Sequence, residues 1–402
     1  MQKTDQRSVK QHILGIFSLF FLLVGLAACA PGTGLLGGGN WQANGLHDSR
    51  IRVLAVNPKD PQQIYAGDEL GHIFMSVDAG QQWAERSTGL PLPDPLHALA
   101  LDADGKKLYA ATEKGLFVSA DAAQHWQTLL SPSSGLPSAS YTALFFDPAA
   151  SSTIYVGTAQ KGLFVSTDAG STWRSASAGL PQGATVNDLA SDPDLKQLWT
   201  ATASPAGLYR STDKGTSWQA FMNGLPSNIV INTVQSAAAS GGAQGLIYVG
   251  TNQGFFRSVD AGAHWMRSQM SLSGTSIRTI LVDFRGNNAS TVYIGTDFGA
   301  LRSDDSGQNW QSVAAGLPKA TAVYALALGA TNYAQLYAAA DTLYLFPGIG
   351  GMSDPKRVVP LVLILFFFYL LLRMTTRTRL KRRPVPGPRG TGAASSPSNR
   401  ER

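Results

Sequence analysis

Seven polar residues recur at almost one interval along this chain. Arg52, His97, Thr142, Asn187, Asn232, Arg278 and Tyr324 are separated by 45, 45, 45, 45, 46 and 46 residues. They supply guanidinium, imidazole, hydroxyl, amide and phenol groups. Gathered around one opening, such a set can hold the backbone of a peptide or the hydroxyls of a glycan, because each group donates or accepts in a defined direction. The same polarity is what any wet channel mouth requires. A second set, Asp68, Glu69, Glu113, Lys114, Lys161 and Asp297, falls at neighbouring turns. Two carboxylates set ~5–9.5 Å apart across a cleft can cleave a glycosidic bond, one as acid and the other as nucleophile or base. As solvated turn charges they do no chemistry.

Other chemistry has little footing. Asp102-Ala103-Asp104-Gly105 begins like a calcium loop, with Glu113 at the twelfth place, but Lys107 stands where the sixth place needs glycine. It reads instead as an Asp-Gly turn between two strands. There is no glycine-rich nucleotide loop and no zinc-ligand spacing. His125 and His264 sit beside Trp126 and Trp265 and read as surface. No catalytic residue, metal ligand or cofactor is assigned.

The elements that must position the seven residues form a repeat. The pattern S-x-D-x-G-x-x-W occurs around Asp78, Asp168, Asp213, Asp260 and Asp305, and once more around Asp121 with Ala123 in place of glycine. The six aspartates are separated by 43, 47, 45, 47 and 45 residues. Serine and aspartate side chains bond to the backbone of a tight hairpin, glycine permits positive φ, and the tryptophan packs beneath. Each box sits in a unit of four predicted strands. The first is apolar and carries one of the seven residues near its start. The second has an aromatic at a constant place: Tyr65, Tyr109, Tyr155, Trp199, Tyr248, Tyr293 and Tyr337. The third runs into the box and the fourth starts at the tryptophan. A Gly-Leu-Pro turn often follows, at Gly89, Gly135, Gly179, Gly224 and Gly316. Four strands in about 45 residues, repeated, predict the blade of a β-propeller.

Seven aromatics but six boxes leave one unit incomplete. The unit from Tyr324 to Phe346 has three strands, and Trp41 with Gly45-Leu46 copies the end of a box and its following turn. The N-terminal strand is therefore expected to complete the last blade. The prediction is an all-β, seven-bladed propeller over 40–347, closed by its N-terminal strand.

The box is identified as the Asp-box, or BNR repeat, and the resemblance covers about residues 40 to 346. Propellers of this kind include sialidases, xyloglucan-type glycosidases, the sortilin ectodomain and the photosystem II stability/assembly factor family. The early Arg-[Ile/Leu]-Pro motif of sialidases is missing. The tandem propellers of the xyloglucan-type enzymes and the cysteine-rich modules of sortilin are also missing. A single propeller behind a lipobox most resembles the assembly factors, which implies a binding protein. Nothing in the chain points to photosynthesis, and the resemblance carries over no functional residue.

The two ends read as membrane attachments. Residues 1–28 have a basic start and an apolar stretch from Ile13 to Ala28, the layout of a signal peptide. Leu26-Ala27-Ala28-Cys29 resembles the bacterial lipobox, which implies lipidation of Cys29. The alternative is an uncleaved signal anchor. Residues 29–39 form a linker. Apolar residues within 356–373, flanked by Lys356, Arg357 and Arg373, predict a transmembrane helix. Residues 374–402 form a basic tail, cytoplasmic by the positive-inside rule and disordered by composition. The tail from Arg373 carries +8 and the leader +2, so a total of +6 leaves the body at −4. An acidic body argues against nucleic acid as a partner. The only cysteine is Cys29, so no intramolecular disulfide forms. Asn288-Ala289-Ser290 fits a glycan-acceptor pattern that a bacterial protein would not use.

The reading is a non-enzymatic binding or assembly module on the outer side of a bacterial membrane. Its partner is expected to be a protein or a cell-envelope glycan, met through the ring of seven residues. A glycoside hydrolase using mouth carboxylates is the second reading, and a structural spacer the third.

Overall fold

The computed structural model describes residues 40–47, 49–131, 133–192, 196–237, 245–268, 274–283, 291–329 and 335–346. All lie within one compact unit, Met1–Gly350. Cys29, the apolar run at 356–373, the tail and Asn288 fall outside the described residues. Among the described residues, no helix is long and apolar enough to cross a membrane.

The described chain is strand and turn. Its strands form seven antiparallel sheets of four, each built from strands consecutive in the chain except one. Blade three shows the pattern. Its first strand, Tyr141–Phe146, buries Tyr141 and Ala143 and leaves the other side chains half-buried. Its second, Ile154–Thr158, is buried at every position, as a strand packed on both faces must be. Leu163–Ser166 follows, then the two-residue outer strand Arg174–Ser175. β-Branched and aromatic residues fill the middle strands because they suit a pleated, enclosed surface. All seven members of the aromatic column, from Tyr65 to Tyr337 and including Trp199, are almost wholly buried.

The exception is blade seven. Gln42–Ala43 pairs antiparallel with Leu343–Phe346, Gln42 opposite Leu345 and Ala43 opposite Tyr344. The N-terminal strand thus supplies the outermost strand of the last blade, as the incomplete repeat predicts. Phe346 stands opposite Leu336 as Ser76 stands opposite Ile64 in blade one. In place of a serine-aspartate turn, the rings of Trp41 and Phe346 meet with centroids 5.3 Å apart.

Among the described residues, a second set of bonds joins successive blades at five junctions. The backbone N–H of Trp126 donates to Thr88, that of Trp173 to Ser134, Trp218 to Ala178, Trp265 to Asn223 and Trp41 to Ala315, over 2.8–3.2 Å. In each case the acceptor immediately precedes the glycine of a Gly-Leu-Pro turn in the preceding blade. The indole N–H groups of Trp126, Trp218 and Trp265 also reach back, to the carbonyls of Arg86, Ala176 and Phe221. Trp41 follows the rule by donating to the Val313 carbonyl.

This contact explains the glycine. At Gly316, φ is +95° and an added Cβ would lie 2.3 Å from the Trp41 carbonyl oxygen. Gly183, at φ +72°, has nothing within 4 Å of the same position. Gly316→Ala is therefore expected to destabilise the propeller by about 2–4 kcal/mol, from backbone clash added to left-handed strain. Gly183→Ala carries only the strain, about 1 kcal/mol. Thermal melts of the two variants check this; equal melting points would show that the Gly316–Trp41 contact has no such role.

Candidate functional site

The six boxes come first, because they hold the blades that carry the ring. In blade one, Ser76 Oγ donates to Asp78 Oδ1 at 2.8 Å and accepts from the Gly80 N–H at 2.8 Å. Asp78 Oδ1 in turn accepts from the Gln82 N–H at 2.9 Å. The same bonds recur at Asp121, Asp168, Asp213, Asp260 and Asp305. All six carboxylates are committed to their own turns. In blade two, Ala123 takes the glycine place at φ +62° and donates its N–H to Ser119 Oγ at 2.9 Å. His125 and His264 are exposed, as expected, but each ring also bonds its box aspartate at 2.7 Å.

These bonds favour the ionised carboxylates. The Thr172 side chain and backbone donate to Asp168, and the Ser217 side chain and backbone to Asp213; both carboxyls are held at about 2. The backbone N–H of His264 does the same at Asp260, also held at about 2. With unfolded values near ~3.9, this stabilisation is complete above pH ~4 and is lost as pH falls towards 2. Asp213→Asn removes one such group. The stability gap between wild type and this variant is expected to narrow steadily from pH 4 to pH 2 in denaturant titrations. A gap constant with pH would refute the linkage.

The seven recurrent residues lie at, or just before, the start of the first strand of each blade. In blades one to six, the pairing of first and second strands slips by one residue where these residues lie: Ile51 opposes Asp68 while Val53 opposes Gly67, leaving Arg52 as the extra residue. His97, Thr142, Asn187, Asn232 and Arg278 are the extra residues of five equivalent β-bulges. A bulge re-aims the side chain it inserts. The residue before each is deeply buried (Ile51, Leu96, Tyr141, Val186, Ile231, Ile277) and anchors the bulge. Tyr324 has no bulge; it precedes the first strand of blade seven, Ala325–Leu328, and its N–H donates to Ala339.

The ring divides into two arcs. Thr142 Oγ1 donates to the Val186 carbonyl at 2.6 Å, Asn187 Nδ2 to that of Ile231 at 2.8 Å, and Asn232 Nδ2 to that of Ile277 at 2.9 Å. Each acceptor is the anchor residue of the next blade. This arc ties blades three to six together, and polarity here is structural. The other arc is charged and aromatic. Arg52 donates to Glu69 at 2.7 Å, Arg278 to Asp297 at 2.6 Å, and His97 meets Glu113 at 3.2 Å. The guanidinium carbons of Arg52 and Arg278 lie 3.8 and 4.8 Å from the centroid of the Tyr324 ring. The Arg52 bond holds the Glu69 carboxyl below its usual range.

A cavity of about 490 Å³ opens here, lined by Arg52, His97, Asn187, Asn232, Arg278 and Tyr324 among others. Six of the seven predicted residues are thus gathered, and Thr142 is not among the lining. The turn carboxylates differ from expectation in one case. Glu69, Glu113 and Asp297 face ring residues, but Asp68 is buried and caps its own turn, accepting from the Leu70 and His72 N–H groups and from the His72 ring. Lys114 is likewise occupied, donating to the Pro91 and Pro93 carbonyls. The Asp102 turn is an Asp-Gly turn as expected, with the Lys106 and Lys107 N–H groups on Asp102 Oδ1. Among the described residues, no group of three or more histidine, cysteine or acidic side chains is placed to hold a metal.

Three residues went unread in the sequence. Asp188, next to Asn187, is the one charged residue among the seven that follow the ring positions. Although the residue keeps some accessible surface, its carboxylate sits deep in protein and desolvation pushes it up to about 6. It accepts from Thr233 Oγ1 and the Val234 N–H, another blade-to-blade tie. Leu70 and Phe298 are 50% and 63% exposed, on the turns that carry Glu69 and Asp297. A large apolar residue at a turn tip, among glycines and charges, was the available signal.

The profile of the Sortilin-Vps10 family (sortilin, neurotensin receptor 3) matches residues 114–241. That match and the seven four-stranded blades fit a seven-bladed β-propeller of BNR or sortilin-like type. No curated protein sequence matches it. Among solved structures, it is similar to YCF48 bound to D1 peptide, at 16% identity and TM-score 0.61, over 78% of this chain and 98% of that one. It is also similar to the GH74 xyloglucanase of Xanthomonas campestris, at 17% identity and TM-score 0.56, over 76% of this chain. A third is the extracellular domain of the putative hybrid two-component system BT4673 of B. thetaiotaomicron, at 16% identity and TM-score 0.60, over 77%. The chain spans 58% and 39% of the latter two. At these identities the likeness is one of fold.

Proposed function

We propose that this propeller is a non-enzymatic binding module that takes a segment of a partner protein at its channel mouth, on the outer side of a bacterial membrane. The observation that carries the reading is the state of Tyr324. A sugar ring stacks on an open aromatic face, and here the Tyr324 ring lies under the Arg52 guanidinium at 3.8 Å. The mouth carboxylates are similarly occupied, each held by Arg52, Arg278 or His97. A glycosidase acid needs its affinity for the proton raised; the Arg52 bond moves Glu69 the other way. A protein of the same fold, YCF48, has been solved with a peptide bound, which makes peptide binding a use this architecture permits. The xyloglucanase of the same fold supports the second reading, glycoside hydrolysis, by architecture alone.

Attachment through Cys29 and the apolar run at 356–373 is part of the proposal. Cys29→Ser is expected to abolish incorporation of a labelled fatty acid in bacterial cells; undiminished labelling would remove the lipid anchor.

Cross-linking on intact cells, with the propeller as bait, identifies the partner. The combined substitution of Arg52, His97 and Arg278 by alanine is expected to weaken that partner at least tenfold, while Thr142→Ala leaves it within twofold. Turnover of any envelope polysaccharide or chromogenic glycoside that disappears in Glu69→Gln would overturn the reading in favour of a hydrolase.

A further inference from the structure

The axial cavity is only part of the opening. A second cavity of about 310 Å³ is bounded by Arg50, Thr321, Ala322, Ala340 and Asp341, and shares Arg52 and Tyr324 with the first. The shared residues put the two in series. From the axis, the space passes the Arg52–Tyr324 contact and continues over blade seven, where the entering loop and the turn between second and third strands present Ala320, Ala322 and Ala340. The two cavities thus adjoin across the Arg52–Tyr324 contact, the second lying between the loop that enters blade one and the turns of blade seven; taken end to end they would form a trough.

Its chemistry narrows the occupant. Arg50 and Arg52 both pair with Glu69, Arg278 pairs with Asp297, and Asp341 lines the second cavity, so three cations are balanced by three carboxylates. A polyanion would meet three carboxylates, and a polycation three guanidinium groups. A sugar chain would find the aromatic ring covered. The main chain of a peptide presents both donors and acceptors, which suits walls that carry both carboxylates and guanidinium groups. Leu70 and Phe298, exposed on the turns bearing Glu69 and Asp297, offer apolar contacts on either side of blade seven.

We infer that mouth and trough together take one extended, charge-poor and apolar-rich peptide segment, threaded from the axis outward over blade seven. This rests on the peptide-binding reading of the mouth and adds the ligand's path and character.

The test uses the full-length protein in detergent and fluorescent nine-residue peptides selected on it from a random library. Selected peptides are expected to be poor in charge. Their Kd is expected to change less than threefold between 50 and 300 mM salt, because no net charge is being neutralised. Ala322→Trp fills the trough without touching the axial residues, and is expected to raise Kd at least tenfold with an unchanged melting point. Leu70→Ser with Phe298→Ser, both at exposed positions, should raise it several-fold. If Ala322→Trp binds like wild type while Tyr324→Ala does not bind, the ligand stays at the axis. The threaded path is then wrong and the peptide-binding mouth survives. Selection of acidic peptides with steep salt dependence would overturn the charge-poor ligand. Recovery of no peptide, or of peptides indifferent to all these variants, would overturn both readings.

Discussion

The ring depends on one joint, repeated at five seams among the described residues: the tryptophan ahead of the outer strand gives its backbone N–H to the turn that ends the blade before it. That bond requires the preceding turn to come close enough that a methyl group would overlap the tryptophan carbonyl, so the turn is glycine with positive φ. The indole then buries on the order of 150–250 Å² against the same neighbour. The box makes this possible by delivering the tryptophan at a fixed distance from a rigid hairpin. Sheets pack face to face through apolar contact in any propeller, but apolar contact has no direction. The tryptophan joint supplies direction and sets which blade follows which.

Given rigid blades, the mouth can be irregular. Six bulges deliver one side chain each to the same level, and the fold places no demand on what that side chain is beyond its anchor. Three blades use the position for a further tie to their neighbour, through Thr142, Asn187 and Asn232. The remaining four spend it on guanidinium, imidazole and phenol. The division of labour explains how one channel mouth can be braced on one side and chemically distinctive on the other.

Much of this was legible because repetition exposes constraint. A tryptophan, a tyrosine and a glycine recurring near every 45 residues reveal the blade, and a stray Trp41 ahead of the first whole unit reveals how the circle closes. The ring residues were found by counting alone, since a bulge adds its residue at the same place each time. Counting could not separate the two arcs. Whether Thr142 lines the cavity or bonds to Val186 depends on side-chain direction, which spacing does not encode. Asp68 was misjudged for a similar reason: a turn aspartate that accepts from its own backbone has the same spacing as a solvated one. Trp199 is a related case. Tyr109, Tyr155 and Tyr337 use their hydroxyls to bond the box of the next blade. Trp199 has none, and there Arg210 extends past its ring to the Ala261 carbonyl instead. Arg257 makes the same reach, to the Ser306 carbonyl, in blade five beside Tyr248.

The split of blade seven has a consequence in time. Ala43 and Tyr344 are partners in one sheet, yet a ribosome adding ~5–20 residues per second makes them many seconds apart. Until the last strand emerges, the first has no sheet to join, and Trp41 has neither Val313 nor Phe346 to cover it. Six blades can be complete while the circle is still open. Any factor that guards the nascent protein therefore has a defined task, to keep one short strand and one indole from pairing elsewhere. That task ends abruptly, when Leu343–Phe346 arrives.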